Sequence, residues 1–282
     1  MGGSGSSLRA WIISIGSELL VGRVVNTNAS WLARRLTFMG FTVDRIIVVP
    51  DVVSDIVEEV KRGLGRVRLI VSTGGLGPTH DDVTMEAMAV AIGKPLVLNG
   101  EAELLLREFY SKKGLPLTRE RLKMAYMPEG CRALRNPVGS APGCVVTHNE
   151  TILIMLPGVP EEMEATFESE VTAILSPITP QVAIVECYSQ IKGVPEASIA
   201  PLLRELSKRH LNAYIKSHPK GYILEKPVIE IRVLVAGSVG EEALSSAKQI
   251  LEHIISEAVK LGGSSDLEVG CQTTGRELRL PN

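Results

Sequence analysis

Between Ser72 and Asp82 the chain reads Ser-Thr-Gly-Gly-Leu-Gly-Pro-Thr-His-Asp-Asp. Gly74, Gly75 and Gly77 let backbone N–H groups approach an anion closely, and a helix opening just beyond adds positive potential. The run follows a buried-looking strand, so it falls at the carboxyl end of a parallel sheet, where ligands of open α/β sheets bind. Asp81 and Asp82 would repel a phosphate unless a cation lies between. A hard divalent ion resolves this, held by one or two carboxylates and phosphate oxygens. The ion is expected to be Mg²⁺ or a transition metal such as Co²⁺ or Mn²⁺. It would supply charge neutralisation and an activated water. The bland alternative is a strand-to-helix turn in which Thr79 is the helix N-cap and Asp82 completes a capping box.

Two familiar phosphate loops are excluded. No G-x-x-x-x-G-K-[ST] occurs here, and a dinucleotide fingerprint would need glycine where His80 stands. A second acidic position is Glu18 in Gly-Ser-Glu-Leu-Leu, which follows the first strand and emerges at the same sheet edge. Asn26 and Asn28 come next, with helix capping their first expected duty. Asn136 to Gly143, rich in small residues and prolines, makes a thin wall that a ligand can approach. Pro157-Gly158-Val159-Pro160-Glu161-Glu162 opens a helix, with the proline in its first turn and the acids complementing its dipole.

These loops need a frame. Apolar strands at Ala10–Ser14, Thr42–Val49 and Arg68–Ser72 alternate with helical patterns from Asn28 to Met39, Ser54 to Leu64 and Val83 to Ile92. That alternation predicts a mostly parallel sheet covered on both faces. Helices follow at Glu101–Lys113 and Thr118–Met127. Short strands follow at Cys131–Arg135, Cys144–His148 and Thr151–Leu156, the last two joined by an Asn-Glu turn, and a long helix ends near Leu175. The first domain spans residues 8–177, and Pro177 to Pro180 reads as a linker. A small α+β domain at 181–262 carries strands at Val182–Gln190, Leu211–Ser217 and Val228–Val235, with helices at Pro195–Lys208 and Glu241–Leu261. The tail, 263–282, has no clear periodicity.

The 282 residues are 45% hydrophobic with a formal net charge of −2, which gives no general attraction to nucleic acid. Cys131, Cys144, Cys187 and Cys271 form no C-x-x-C pair, so neither a zinc site nor a disulfide framework is expected, and reduced buried thiols are. Met1 to Ser7 reads as a flexible arm, no apolar run is long enough for a membrane helix, and a cytoplasmic location is expected.

The motifs GSELLVGRVVNTNASWLARRL, STGGLGPTHDD, NPVGSAPG and LPGVPEEM, in this order, resemble the CinA family. The likeness covers about Ile12 to Leu175. It implies a three-layer α/β fold, the molybdopterin-binding fold of MogA and MoaB, followed by a small domain similar to the KH-like middle domain of CinA proteins, notably at YIKSHPKG. It also implies metal-dependent cleavage of ADP-ribose or a similar dinucleotide to AMP and a sugar phosphate. Related domains occur in FAD synthases. MogA-type proteins instead adenylylate molybdopterin, and their loop resembles TGGTG before an acid. Here Leu76 replaces that threonine, which favours CinA over the molybdopterin alternative.

By this resemblance Asp81, Asp82 and Glu18 are metal-associated or catalytic. Gly74, Gly75, Gly77 and Thr79 hold phosphate, and Ser140 and Gly158 line the pocket. Thr73 and Asn28, adjoining these loops, are further nucleotide contacts. The chain ends where bacterial CinA proteins often continue into a nicotinamide-mononucleotide deamidase domain, so that activity is not expected. Gly193-Val194-Pro195-Glu196 lacks the G-x-x-G clamp of RNA-binding KH domains, so nucleic acid is not an expected partner. A dinucleotide still needs cations. Lys216, His218 and Lys220, read as a basic turn at a strand end, are expected to contribute, Lys216 foremost, in a homodimer.

Overall fold

The computed structural model describes residues 8–179, 183–223, 226–237, 240–265 and 269–273. The N-terminal arm, Pro180 of the linker, Val182 and the last nine residues of the expected tail lie outside the described residues. The chain divides into two compact units, Met1–Thr37 with Phe41–Thr179, and Phe38–Gly40 with Pro180–Asn282.

In the first unit β1 (Arg9–Ile15) leads through a short α1 (Ser17–Leu20) to α2 (Thr27–Phe38), β2 (Thr42–Val49), α3 (Val53–Gly63), β3 (Leu69–Thr73) and α4 (Thr84–Ile92). Then come β4 (Leu96–Leu98), α5 (Gly100–Lys112), α6 (Arg119–Leu122), β5 (Tyr126–Pro128), β6 (Arg132–Leu134), β7 (Gly143–His148), β8 (Thr151–Leu156), α7 (Pro160–Thr166) and α8 (Thr172–Leu175). Six strands form one sheet in the order β2-β1-β3-β8-β7-β6. Its first four are parallel, and β7 and β6 return antiparallel. Every residue of β3 and β8 is buried, as expected of strands covered on both faces. Trp11, Ile13 and Ile15 of β1 pack in one core with Ile56 and Val60 of α3, Met88 of α4 and Leu106 of α5. Across α2 and the turn after α7, Trp31 meets Phe167 edge to face, and Arg35 pairs with Glu168. The mixed α/β fold with a mostly parallel sheet is the one the motifs imply.

Several expected elements differ. The helix expected over Thr118–Met127 is only α6 and a 3₁₀ turn, Lys123–Ala125, because Tyr126–Pro128 leaves to pair with β4. The helix toward Leu175 is interrupted by a π turn, Phe167–Val171. The Asn-Glu hairpin is as expected, with Asn149 and Glu150 both at positive φ.

The second unit holds β9 (Ala183–Lys192), α9 (Glu196–Arg209), β10 (Ala213–Ile223), β11 (Lys226–Gly237), α10 (Gly240–Lys260), β12 (Ser264–Ser265) and β13 (Gly270–Thr273). Its sheet runs β10-β11-β9-β12, with β13 also on β9, all antiparallel. Ile199 of α9 and Ala247, Leu251 and Ile254 of α10 share a core with Val185, Ile231 and Val233.

Three expectations are corrected here. The segment Tyr214–Gly221 is not a turn, since β10 pairs with β11 as far as Ile223↔Lys226; Pro219 and Gly221 instead mark a register shift inside it. The expected tail supplies β12 and β13. Two of the four cysteines are not reduced. Cys187 and Cys271 face each other across β9 and β13, with Cα atoms 4.2 Å apart, and form a disulfide. Their separation of 84 residues hides that register from the sequence. Cys131 and Cys144 are free and buried; burial and a bond to Cys131 push the Cys144 thiol up.

Candidate functional site

Three neighbouring parallel strands empty onto one edge of the first unit's sheet. Ser14 of β1 is in register with Thr73 of β3, and Thr73 with Leu156 of β8. The loops that follow, at Gly16, Gly74 and Pro157, therefore start side by side. Gly74 donates its N–H to the Leu156 carbonyl at 3.1 Å, and its φ is +105°. A side chain there would collide with the Ile15 carbonyl oxygen, so only glycine lets β1 and this loop meet. Gly158 packs on Gly74, with a Cβ there 3.2 Å from the Gly74 Cα.

A buried clasp ties these loops. The Asn28 amide donates to Thr73 Oγ1 at 2.9 Å and to the Gly158 carbonyl at 2.8 Å, while Thr73 Oγ1 donates to the Pro157 carbonyl at 2.7 Å. Asn28 is therefore no helix cap. Asn26 is, accepting from Ala29 N at 3.1 Å and also bonding Ser14. Thr84, fully buried at the start of α4, donates its hydroxyl to the Gly74 carbonyl at 2.8 Å.

The acidic end of the loop is a separate turn. Thr79 donates its backbone N–H to Asp82 Oδ2 at 2.8 Å. Its hydroxyl lies against both Asp81 Oδ1 and Asp82 Oδ2. Because α4 starts only at Thr84, with Val83 in the cap position, Thr79 and Asp82 do not cap it. The capping-box alternative fails, and the two carboxylates converge on one hydroxyl in a turn that stands free of the helix. The Thr79 hydroxyl and Asp81's own backbone N–H hold the Asp81 carboxyl below its ordinary value, with smaller help from His80 and Lys123.

These loops enclose a cavity of about 540 Å³, in the range of small-molecule sites. Of the expected residues, Glu18, Asn28, Thr73, Gly74, Gly75, Gly77, Asp81, Asp82, Ser140 and Gly158 line it. Thr79, in contact with Asp81 and Asp82, is not itself among the lining residues. Lys216 is exposed on β10 of the second unit.

Sequence reasoning missed Asp51, Thr84 and Lys123, and named Asn136 and Glu162 only as members of their loops. Asp51, after β2, lines the cavity and accepts from Ser17 N and Oγ at 2.8 and 2.9 Å. Glu162 lines it from α7 and accepts from Asn136 Nδ2 at 2.7 Å. Asn136 folds its own loop, accepting from Gly139 N at 2.8 Å. Thr84 and Lys123, which donates to the Thr79 carbonyl, complete the set. Of these, only Glu162 stands in a motif as an acid.

The acids of the lining are Glu18, Asp51, Asp81, Asp82 and Glu162, and among the described residues no lysine, arginine or histidine lines the cavity. An oxygen-only acidic set suits a hard cation and not zinc. Among the described residues no three His, Cys, Asp or Glu side chains are grouped as a ready cage. An ion held here would have the Asp81 and Asp82 carboxylates as its protein ligands and would need ligand oxygens to complete its shell.

Compared with known proteins, residues 11–177 match the family described as "Probable molybdopterin binding domain". A protein of Aeropyrum pernix is 50% identical over 263 residues, covering 93% of this chain and 98% of its own. A protein of Pyrobaculum aerophilum is 45% identical over 252 residues, 89% and 94% of the two chains. Among solved structures, the protein CinA of Thermoplasma acidophilum, described as of unknown function, is 42% identical with a TM-score of 0.56. That match covers 59% of this chain and 98% of the other.

Proposed function

This chain belongs to the family of the "Probable molybdopterin binding domain", and from that premise we propose that it is a CinA-like, metal-dependent nucleotide pyrophosphatase. Its substrate is ADP-ribose or a similar dinucleotide. Water adds to one phosphorus, the bond to the bridging oxygen breaks, and AMP and ribose 5-phosphate leave. The carrying observation is the pair Asp81 and Asp82 converging on Thr79 beside a glycine loop, in a cavity whose charged lining, among the described residues, is wholly acidic.

Asp81 and Asp82 would hold a divalent cation, which when bound neutralises phosphate charge and makes water more acidic. Gly74, Gly75 and Gly77 let the loop close against Ile15, Thr84 and Asp82, which shapes the wall against which the phosphates would lie. The clasp of Asn28, Thr73 and Gly158 keeps that backbone fixed, so little reorganisation accompanies charge development. Glu18 and Glu162 stand on other walls of the cavity, and either can accept a proton from water.

The test is a screen of dinucleotides and nucleoside triphosphates against several divalent ions, with products identified by mass spectrometry. The reading expects AMP and ribose 5-phosphate from ADP-ribose, and loss of turnover on metal stripping. Full turnover in excess EDTA after stripping refutes it. The family's description names molybdopterin binding, which motivates a second reading, binding or adenylylation of molybdopterin. Copurified pterin, or ATP turnover only with pterin present, would replace the first reading with this one. Leu76, where the adenylylating loop carries threonine, speaks against it.

A further inference from the structure

The cavity has a charge deficit that its own lining does not meet. A dinucleotide pyrophosphate is anionic, and among the described residues every ionisable side chain lining the cavity is an acid. The arginine nearest in sequence to the wall Asn136–Gly143 is not available, because Arg135 is engaged by Glu108 at 2.7 Å. That same partnership, with Lys112, holds the Glu108 carboxyl at about 2.

One cation is fixed against the glycine loop from elsewhere in the chain. Lys123 donates its ammonium to the carbonyl of Thr79, 44 residues earlier. Thr79 is the residue whose hydroxyl gathers Asp81 and Asp82. The lysine rides on the 3₁₀ turn Lys123–Ala125, whose other two residues are buried, Met124 at 4% and Ala125 at 0% exposure. Met124 itself lines the cavity. The turn is thus anchored in the core, and its one charged residue is held at the cavity's acidic edge. An ammonium has three N–H donors, of which the Thr79 carbonyl takes one, leaving donors for an anion.

We propose that Lys123 binds the phosphate of a nucleotide held beside Asp81 and Asp82, supplying the positive charge that the lining lacks. This rests on reading the cavity as a phosphate site. Lys123 is a binding residue and not a structural strut for the loop. A strut would matter equally for every ligand; a phosphate ligand matters only for those with phosphate. A charge-assisted bond of this kind is worth about tenfold or more in affinity.

The experiment is calorimetric titration of AMP and of adenosine, each with Mg²⁺, into the full-length protein, Lys123→Gln and Lys123→Arg. Tryptophan fluorescence melts confirm that the variants are folded. Expected for Lys123→Gln is a loss of about tenfold or more in AMP affinity, with adenosine affinity within about twofold of the parent. Lys123→Arg keeps most of the AMP affinity, since its charge and donors remain. Unchanged AMP binding in Lys123→Gln overturns the proposal. An equal loss for AMP and adenosine also overturns it, assigning Lys123 to loop support alone. If the parent binds adenosine as well as AMP, or neither, the phosphate reading of the cavity itself falls, which is a separate result from either.

Discussion

Replacing Gly74 by alanine tests the claim that the site depends on β1 and the glycine loop meeting without a side chain between. Two costs apply. The backbone sits at φ +105°, where a residue with a Cβ is strained by about 1–3 kcal/mol. The new methyl also meets the Ile15 carbonyl, a main-chain atom that moves only with β1, for about 1–3 kcal/mol more. Gly93 is the control. It caps α4 at φ +66°, and nothing stands within 4 Å of the place a methyl would take, so Gly93→Ala carries only the dihedral cost, about 1–2 kcal/mol. The assay is intrinsic fluorescence during thermal unfolding. Trp11 and Trp31 are the chain's two tryptophans and both belong to the first unit, so the signal follows that unit alone. At roughly 2–4 °C per kcal/mol for a unit of this size, Gly74→Ala should melt on the order of 10 °C lower and Gly93→Ala on the order of 4 °C lower. Equal midpoints for the two variants would refute the steric argument, leaving backbone dihedral as the whole effect.

Asp82→Asn should lower turnover by about a hundredfold or more, while the midpoint stays within about 2 °C, since an Asn oxygen still accepts from Thr79 N. Near-normal turnover would reduce Asp82 to a turn former. Thr79→Val removes the hydroxyl that holds the Asp81 carboxyl down. In the parent the ionised form persists below the ordinary aspartate value and is lost as pH falls through the lowered one. The variant should therefore lose Mg²⁺ binding at a higher pH, and coincident acid limbs by calorimetry would count against this. Cys271→Ser opens a loop of 84 residues, whose closure entropy bounds the loss at about 4.5 kcal/mol. Scanning calorimetry should show the second unit melting earlier with the tryptophan midpoint unmoved, and a superimposable trace would show the bond to be dispensable.

What the sequence disclosed follows from how local each signal is. The strands β1, β2 and β3 and the helices α2 and α3 are continuous apolar or periodic runs, and they stand within a residue or two of their expected bounds, whereas the four-residue α1 falls in a segment expected only as a loop. Glu18, Asp81, Asp82 and the glycines were visible because strand ends in a parallel sheet share one edge. Asp51 sits on that same edge but in no motif, and Lys123 follows a short helix with no feature to mark it. Their positions depend on long-range packing, which spacing does not encode. Thr79 and Asp82 show a local pattern read on the wrong element: the reciprocal bond forms, but two residues before the helix starts. Tyr214–Gly221 shows the same for Pro219 and Gly221, which bend a strand instead of ending it. Cys187 and Cys271 needed the register of a strand four residues long.

The Asn28 clasp has a kinetic meaning. It joins side chains and carbonyls 45 and 130 residues apart, and the β3–β8 pairing under it spans about half the first unit. Contacts of such separation are made only after the loop-closure entropy of the intervening chain has been spent, so the cavity floor belongs to the late part of folding. A nascent chain that has emerged only through Glu150 carries the whole glycine loop and both aspartates, yet has no β8 to stand beside them. A nucleotide of the kind proposed, added to a refolding chain, would thus have nothing to hold early on, and its stabilisation would fall on the unfolding rate, slowing escape from the native state without hastening arrival there.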